Sequence, residues 1–420
     1  MLQIFNNETF RRRTVLVCRI ILGCVFIFSG FAKAIDPLGG LYKVEDYLVA
    51  FGWDFLIPLA FIGSTLLSIA EFVLGVALLF GLRLKWTAIC TLLFMAVMTP
   101  LTLYIAIYNP VTDCGCFGEA LKISNWETFW KNVVFSVMAV IVYLWRDSDN
   151  SKYSLSTEIG IVAYSFVFMC FTSYYCLENL PIIDFRPYKI GTNMPEAMAI
   201  PEDAKPDVYE TKFIYEKDGQ QKEFTLENYP KGDTAWKHVE TISELVEKGY
   251  EPPIHDFTMD DIDMGDLTED VLADPNYSFL VVCSKIDKTD TAFSQKVNDA
   301  YQFAQNNGYG FYCLTNTGLE SEELENFKTK YNAEYKFVNT DEITLKTIVR
   351  SNPGMVLIKE GVVINKWSAK NIPTFEEPLE ASEHGKLVVA NDWLTAFVFF
   401  FIFFLPIGLF FGAKRFVCKK

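Results

Sequence analysis

A chain of 420 residues with 51% hydrophobic, 15% aromatic and only 21% charged residues is too apolar for a disordered or collagen-like polymer and too long for one core. The net charge of −15 is unevenly placed: residues 178–392 hold 40 acidic and 21 basic side chains, a net of −19, which leaves +4 for the remainder. An acidic, water-facing block is thus set in an apolar frame, and nucleic acid is disfavoured as a partner because phosphate binding needs a basic face.

Six stretches, roughly 14–35, 55–81, 86–108, 126–145, 158–177 and 393–412, have the length and apolarity to cross a lipid core and so make membrane lipid a partner. The last contains eight Phe and no charge. Cations outside the spans set orientation. Arg11, Arg12 and Arg13, then Arg83 and Lys85, then Arg146 and Lys152, then Lys414, Arg415, Lys419 and Lys420 fall on one side if the helices alternate. Both termini are then cytoplasmic, and the loop 36–54, the loop 109–125 and the acidic block face outward. The first span keeps Arg19 and Lys33 and lacks a small-residue cleavage site, as expected of an uncleaved signal anchor. In a bacterium this is a multi-pass inner-membrane protein with a periplasmic domain.

The outer block, 183–390, opens with a hairpin pattern over 208–226 around Asp218-Gly219. Helical spacing follows over Trp236 to Lys248, stopping at Gly249. Tyr277–Ser284 predicts a buried strand, Ala292–Asn306 a helix, Tyr309–Leu314 a strand, Glu322–Tyr331 and Leu345–Ser351 helices, and Met355–Lys359 with Val362–Trp367 two strands joined at Glu360-Gly361. That order calls for an α/β layer fold. Pro252-Pro253-Ile254-His255-Asp256-Phe257, the strand Phe279-Leu280-Val281-Val282-Cys283-Ser284 and the segment Asn352 to Ile358 resemble a thioredoxin-like domain of the TlpA and peroxiredoxin type, with its core over 250–370. The resemblance implies a cis Pro353. It also implies Cys-x-x-Cys after the first core strand, where this chain reads Lys285-Ile286-Asp287-Lys288-Thr289-Asp290-Thr291. Cys283 and Cys313 are expected as buried apolar side chains held apart by the sheet. His255 is expected to cap a turn, and His238, His255 and His384 are too scattered for a metal site.

Helices one to four carry the most specific signals: Phe28-Ser29-Gly30-Phe31-Ala32-Lys33-Ala34-Ile35-Asp36-Pro37, the loop Asp113-Cys114-Gly115-Cys116-Phe117-Gly118, and Trp126 with Asn132. Over 14–146 these resemble the DoxX and MauE-like four-helix membrane proteins, and the likeness implies membrane thiol redox chemistry or disulfide formation in a periplasmic partner. The loop can be read independently. Outside the cytoplasm thiols are kept oxidised, and Cys114 and Cys116 are close enough to close a small ring of the labile, exchange-active kind. Ser124-Asn125-Trp126-Glu127 reads as a capping box, which points the positive end of the fourth helix at the loop and favours thiolate, while Asp113 opposes it. A disulfide that only pins the loop remains the alternative, and copper binding lacks Met or His neighbours. Within the spans, Glu71 is the candidate for proton handling or for a tie to Arg19. The bland alternative lets Arg19 and Lys33 snorkel to the interfaces and leaves Glu71 bonded within the bundle. Cys18, Cys24, Cys90, Cys170 and Cys418 read as packing, and Cys176 is the candidate resolving thiol.

The fold expectation is therefore multidomain: an all-α polytopic bundle of about six spans plus a soluble thioredoxin-like α/β domain. Two functions compete. One is a thiol-disulfide oxidoreductase in which Cys114 and Cys116 pass electrons from a periplasmic protein client to a quinone held between helices, although no quinone motif is legible. The other is a membrane-anchored binding or assembly factor that uses the degenerate domain to dock a partner.

Overall fold

The computed structural model describes all residues except 1–6, 112, 149–152, 207, 218–219, 226–227, 229, 231–235, 248 and 418–420. The expected Asp218-Gly219 turn, Lys152, Cys418, Lys419 and Lys420 lie outside the described residues. The first helix, α1 (Glu8–Ile35), begins where the Asn7 side chain accepts the amides of Thr9 and Phe10. Asp36 ends it and at once caps α2 (Pro37–Ala50), accepting the Gly39 amide, with Pro37 in the first turn. This helix lies within the segment 36–54, where the sequence predicts a loop. Then come α3 (Ala60–Phe80), closed by Gly81 at φ 68°, α4 (Leu84–Tyr108), α5 (Asn125–Leu144) with the expected capping box, and α6 (Leu155–Asn179).

Helices α1 and α3 pack closest, and glycine makes this possible. A Cβ on Gly30 would lie 2.6 Å from the Phe72 amide nitrogen, and one on Gly75 2.6 Å from that of Ile27.

Beyond the bundle, α7 (Met194–Met198) precedes a three-stranded antiparallel sheet of β1 (Val208–Lys217), β2 (Gln220–Thr225) and β3 (Lys237–Glu247) in the order β2-β1-β3. The helix expected over Trp236–Lys248 is thus a strand. Val239, Thr241, Ile242 and Val246 are β-branched, and pairing along β1 from Val208↔Glu247 to Glu216↔Lys237 overrides a helical spacing that has no core to face.

The larger sheet is built from β4 (Asp260–Asp261), β5 (Gly265–Asp266), β6 (Tyr277–Val282), β7 (Gly310–Thr315), β8 (Lys336–Asn339), β9 (Gly354–Lys359) and β10 (Val362–Ser368), ordered β10-β9-β6-β7-β8-β4-β5. Strands β6, β7 and β8 are parallel, while β9 and β10 return antiparallel. Strand β8, four residues between β7 and β4, has no counterpart among the elements expected from the sequence. One face buries Phe279, Val281 and Phe311 under α9 (Ser294–Asn307) and α10 (Glu322–Tyr331). The other buries Leu280, Val282 and Val338 under α8 (Thr268–Ala273) and α11 (Glu342–Ile348). Helix α11 starts earlier than expected because Asp341 caps it, accepting the amides of Ile343 and Thr344.

The peptide Asn352–Pro353 is cis. Cys283 and Cys313 are both buried in one apolar cluster and form no disulfide. Register pairs Val281 with Cys313, and Cys283 lies on the same face two residues on, so the thiols are diagonal neighbours.

The last helix, α12 (Asp392–Val417), returns to the bundle and sets Phe399 on Phe31 and Phe403 on Phe72 and Tyr164. Among the described residues six helices are long and apolar enough to cross a membrane.

Candidate functional site

Cys114 and Cys116 are joined by a disulfide at one end of the bundle. The loop can turn there because Gly115 takes φ 62°, and a Cβ at that position would come 2.6 Å from Lys43 Cγ. Three elements hold the loop. The Asp113 carboxylate accepts the Gly115 amide at 2.8 Å and pairs with Lys43 of α2 at 3.1 Å. Tyr47, one turn further along α2, donates to the Cys114 carbonyl at 2.8 Å. Burial, then Asp113 and Asp46, push the Tyr47 phenol upward, so it stays a donor. Ser29 Oγ of α1 lies 2.6 Å from the Cys116 carbonyl oxygen and 2.7 Å from Glu71 Oε2.

Two cavities meet at the disulfide. The larger, about 160 Å³, is lined by Cys114, Cys116, Lys33, Lys43, Tyr47 and Asp36, among mostly apolar neighbours. That volume matches a cavity able to hold one benzene-sized ring (~150 Å³). The smaller, about 40 Å³, is lined by Ser29, Glu71, Cys116, Phe117, Lys131 and Asn132 and has room only for a few waters. Of the two cysteines Cys116 alone borders both, and Met98 also lines the two. Cys114 is 9% exposed and Cys116 half-buried. Among the described residues no group of three or more His, Cys, Asp and Glu is placed to hold a metal ion.

The expected tie between Glu71 and Arg19 is replaced by another. Both Glu71 oxygens lie 2.7 Å from Lys33 Nζ, so Lys33 turns into the bundle instead of snorkelling out. Arg19 Nε instead donates to the Leu78 carbonyl at 2.9 Å, close to where α3 ends. The reason is distance along the helix: Ser29 and Lys33 lie one turn apart at the level of Glu71, whereas Arg19 lies more than two turns below. Cys176 is 1% exposed in the apolar cluster of Phe31, Ile35, Met169 and Ile183 and lines neither cavity. Pro353 lies between Arg350 and β9, at the end of the α/β domain that faces the bundle.

That end meets the bundle beside the loop. Arg350 Nε lies 2.9 and 3.1 Å from the two Asp36 oxygens and its Nη2 2.9 Å from Oδ2, while the guanidinium rests over Tyr42 of α2. Burial pushes the Asp36 carboxyl up, but the charges of Arg350 and Arg186 reverse this and hold it below the usual carboxylate range. Asp184 is bridged by Arg186 and Lys366 behind the same end. Ser368 donates to the Glu178 carbonyl at the end of α6. The disulfide loop and the α/β domain therefore share one end of the bundle.

Sequence reasoning missed Lys43, Tyr47, Lys131, Asp36 and Arg350. The first two belong to an unrecognised helix, and the Asp36–Arg350 pair spans 314 positions, so no local pattern carries it. Lys131 had a signal, a lone cation one turn into an otherwise apolar span.

Spans, disulfide loop and α/β domain together define a multi-pass membrane protein with an appended α/β region. Residues 11–146, about a third of the chain, match the family described as Methylamine utilisation protein MauE, so this region is that of a MauE-like membrane protein. Residues 209–248, the three-stranded sheet, match a Domain of unknown function (DUF8463). No curated protein matches the chain.

Proposed function

We propose that the protein is an inner-membrane thiol-disulfide redox protein in which Cys114 and Cys116 take two electrons and two protons from a dithiol on an extracytoplasmic protein client and pass them to a membrane quinone, giving quinol. The observation that carries this reading is the disulfide forming one wall of a ring-sized, mostly apolar cavity at the bundle end that also bears the soluble domain. A disulfide that served only to pin a loop would need no such space beside it, and Asp113, Tyr47 and Ser29 already hold this loop.

The outer domain, with parallel β6 and β7, antiparallel β9 and cis Pro353, supports a thioredoxin-like scaffold that brings no dithiol of its own into play. In this reading both termini are cytoplasmic and the domain is periplasmic.

A second reading is favoured by one observation, that Arg350 and its neighbours are spent on docking to α2: the chain is then an assembly factor and the loop is structural. Alkylation of intact membranes with and without reductant separates the two. The redox reading expects the loop thiols to cycle and C116S to trap a mixed disulfide with a client. If C114S/C116S leaves extracytoplasmic thiol status unchanged and nothing is trapped, the redox reading fails.

A further inference from the structure

Among the groups around the disulfide, Lys131 alone has no role in the account so far. It lies one turn and a half into α5, with Nζ 4.1 Å from the Phe117 ring centroid, and it lines the small cavity together with Cys116. Its charged surroundings are otherwise balanced. On α1 and α3, Lys33 pairs with Glu71; on α2 and the loop, Lys43 pairs with Asp113; beyond the loop, Lys122 pairs with Glu119. Among the described residues Lys131 makes no ion pair, and Glu71, which shares the small cavity with it, is already paired with Lys33. A desolvated ammonium with no ion pair of its own is costly, and a thiolate forming beside it is a favourable change.

The cavities make this directional. An attacking thiol does not fit into the 40 Å³ cavity and must come through the 160 Å³ one, which both cysteines line. A thiolate attacks in line with the sulfur–sulfur bond and expels the distal sulfur. Only Cys116 can leave toward the small cavity, because only Cys116 borders it.

We infer that Lys131 is a positioning residue that makes Cys116 the leaving sulfur and Cys114 the sulfur that an incoming thiol attacks. In the step, a thiolate R–S⁻ bonds to Cys114 Sγ, the Cys114–Cys116 bond breaks, and its electron pair goes to Cys116 Sγ as a thiolate facing the Lys131 ammonium. No further oxidant enters. Phe117, under the ammonium, keeps it in the cavity.

This inference rests on the loop being open to exchange, but its test needs no client. In the full-length protein in lipid nanodiscs, the rate of iodoacetamide labelling at the loop peptide is followed against pH by mass spectrometry. In C114S, the half-maximal labelling pH of Cys116 rises by roughly one unit on adding K131M and returns with K131R. Cys114 in C116S moves little. Equal movement of both thiols, or none, overturns the assignment. A second measurement does not depend on the variants folding: the oxidised wild-type protein is exposed to reduced glutathione, quenched in acid and mapped. Glutathione on Cys114 supports the inference and glutathione on Cys116 overturns it. A shifted profile with no client trapped in cells would leave this inference standing while the proposed function fails, and the reverse pattern would do the opposite.

Discussion

Replacing Arg350 by Met should loosen the α/β domain from the bundle, and the structure sets the size of the effect. The substitution removes three contacts of 2.9 to 3.1 Å on the Asp36 carboxylate, in a pair whose side chains are 6% and 12% exposed. Breaking one partner of a buried pair costs about 3–5 kcal/mol, chiefly because the other charge stays buried. At about 1.4 kcal/mol per factor of ten, the docked edge opens roughly 100- to 4,000-fold more often. Hydrogen exchange of peptides 37–50 and 342–352 in nanodiscs reads this as faster uptake on both surfaces. D36N/R350M should cost at least about 1 kcal/mol less than the sum of the single variants, since neither charge is then left alone. Unchanged exchange in R350M, or strict additivity, would refute the reasoning. The pH dependence has a fixed sign. The Asp36 carboxyl is held below its ordinary range, so docking keeps full strength at neutral pH and weakens only as acid protonates it.

Three further outcomes follow from the packing. G115A should destabilise the loop by about 1–2 kcal/mol, since it puts a Cβ at φ 62° and against Lys43, and limited proteolysis near residue 115 should quicken. D184N should lower the thermal stability of the full chain more than K366M does, by about 3 kcal/mol against about 1. The first leaves Lys366 and Arg186 buried without their anion, whereas after the second Arg186 still binds Asp184 through two nitrogens. G30V should prevent α1 and α3 from closing, lowering the detergent midpoint of unfolding by an amount equivalent to roughly 1–3 kcal/mol; an unshifted midpoint would show that the helices do not meet there.

The spans were legible because a run of about 20 apolar residues has few other uses, and the α/β order because Tyr277–Val282 and Gly354–Lys359 are continuous apolar runs. Helix α2 was not legible: Lys43, Glu45 and Asp46 break its apolar pattern, and only the contact of Tyr42 and Tyr47 with distant residues gives it a face. Strand β3 failed for the same reason, being fixed by its partner and not by its own spacing. At the site, sequence named the sulfurs and the carboxylate of Glu71, but not that Lys33 would reach the carboxylate or that Lys131 would face Cys116. Those depend on helix rotation, which residue order leaves open. That Cys283 and Cys313 fall on one face as diagonal neighbours needed the register of two parallel strands joined through a helix.

Because the soluble domain is threaded between α6, which ends at Asn179, and α12, which begins at Asp392, it is moored to the lipid at two points. Undocking is then a swing within a short leash, and re-docking proceeds at a high effective concentration whatever the dilution of the protein. A latch worth only a few kcal/mol is enough to set how often the domain leaves the bundle end beside the disulfide loop.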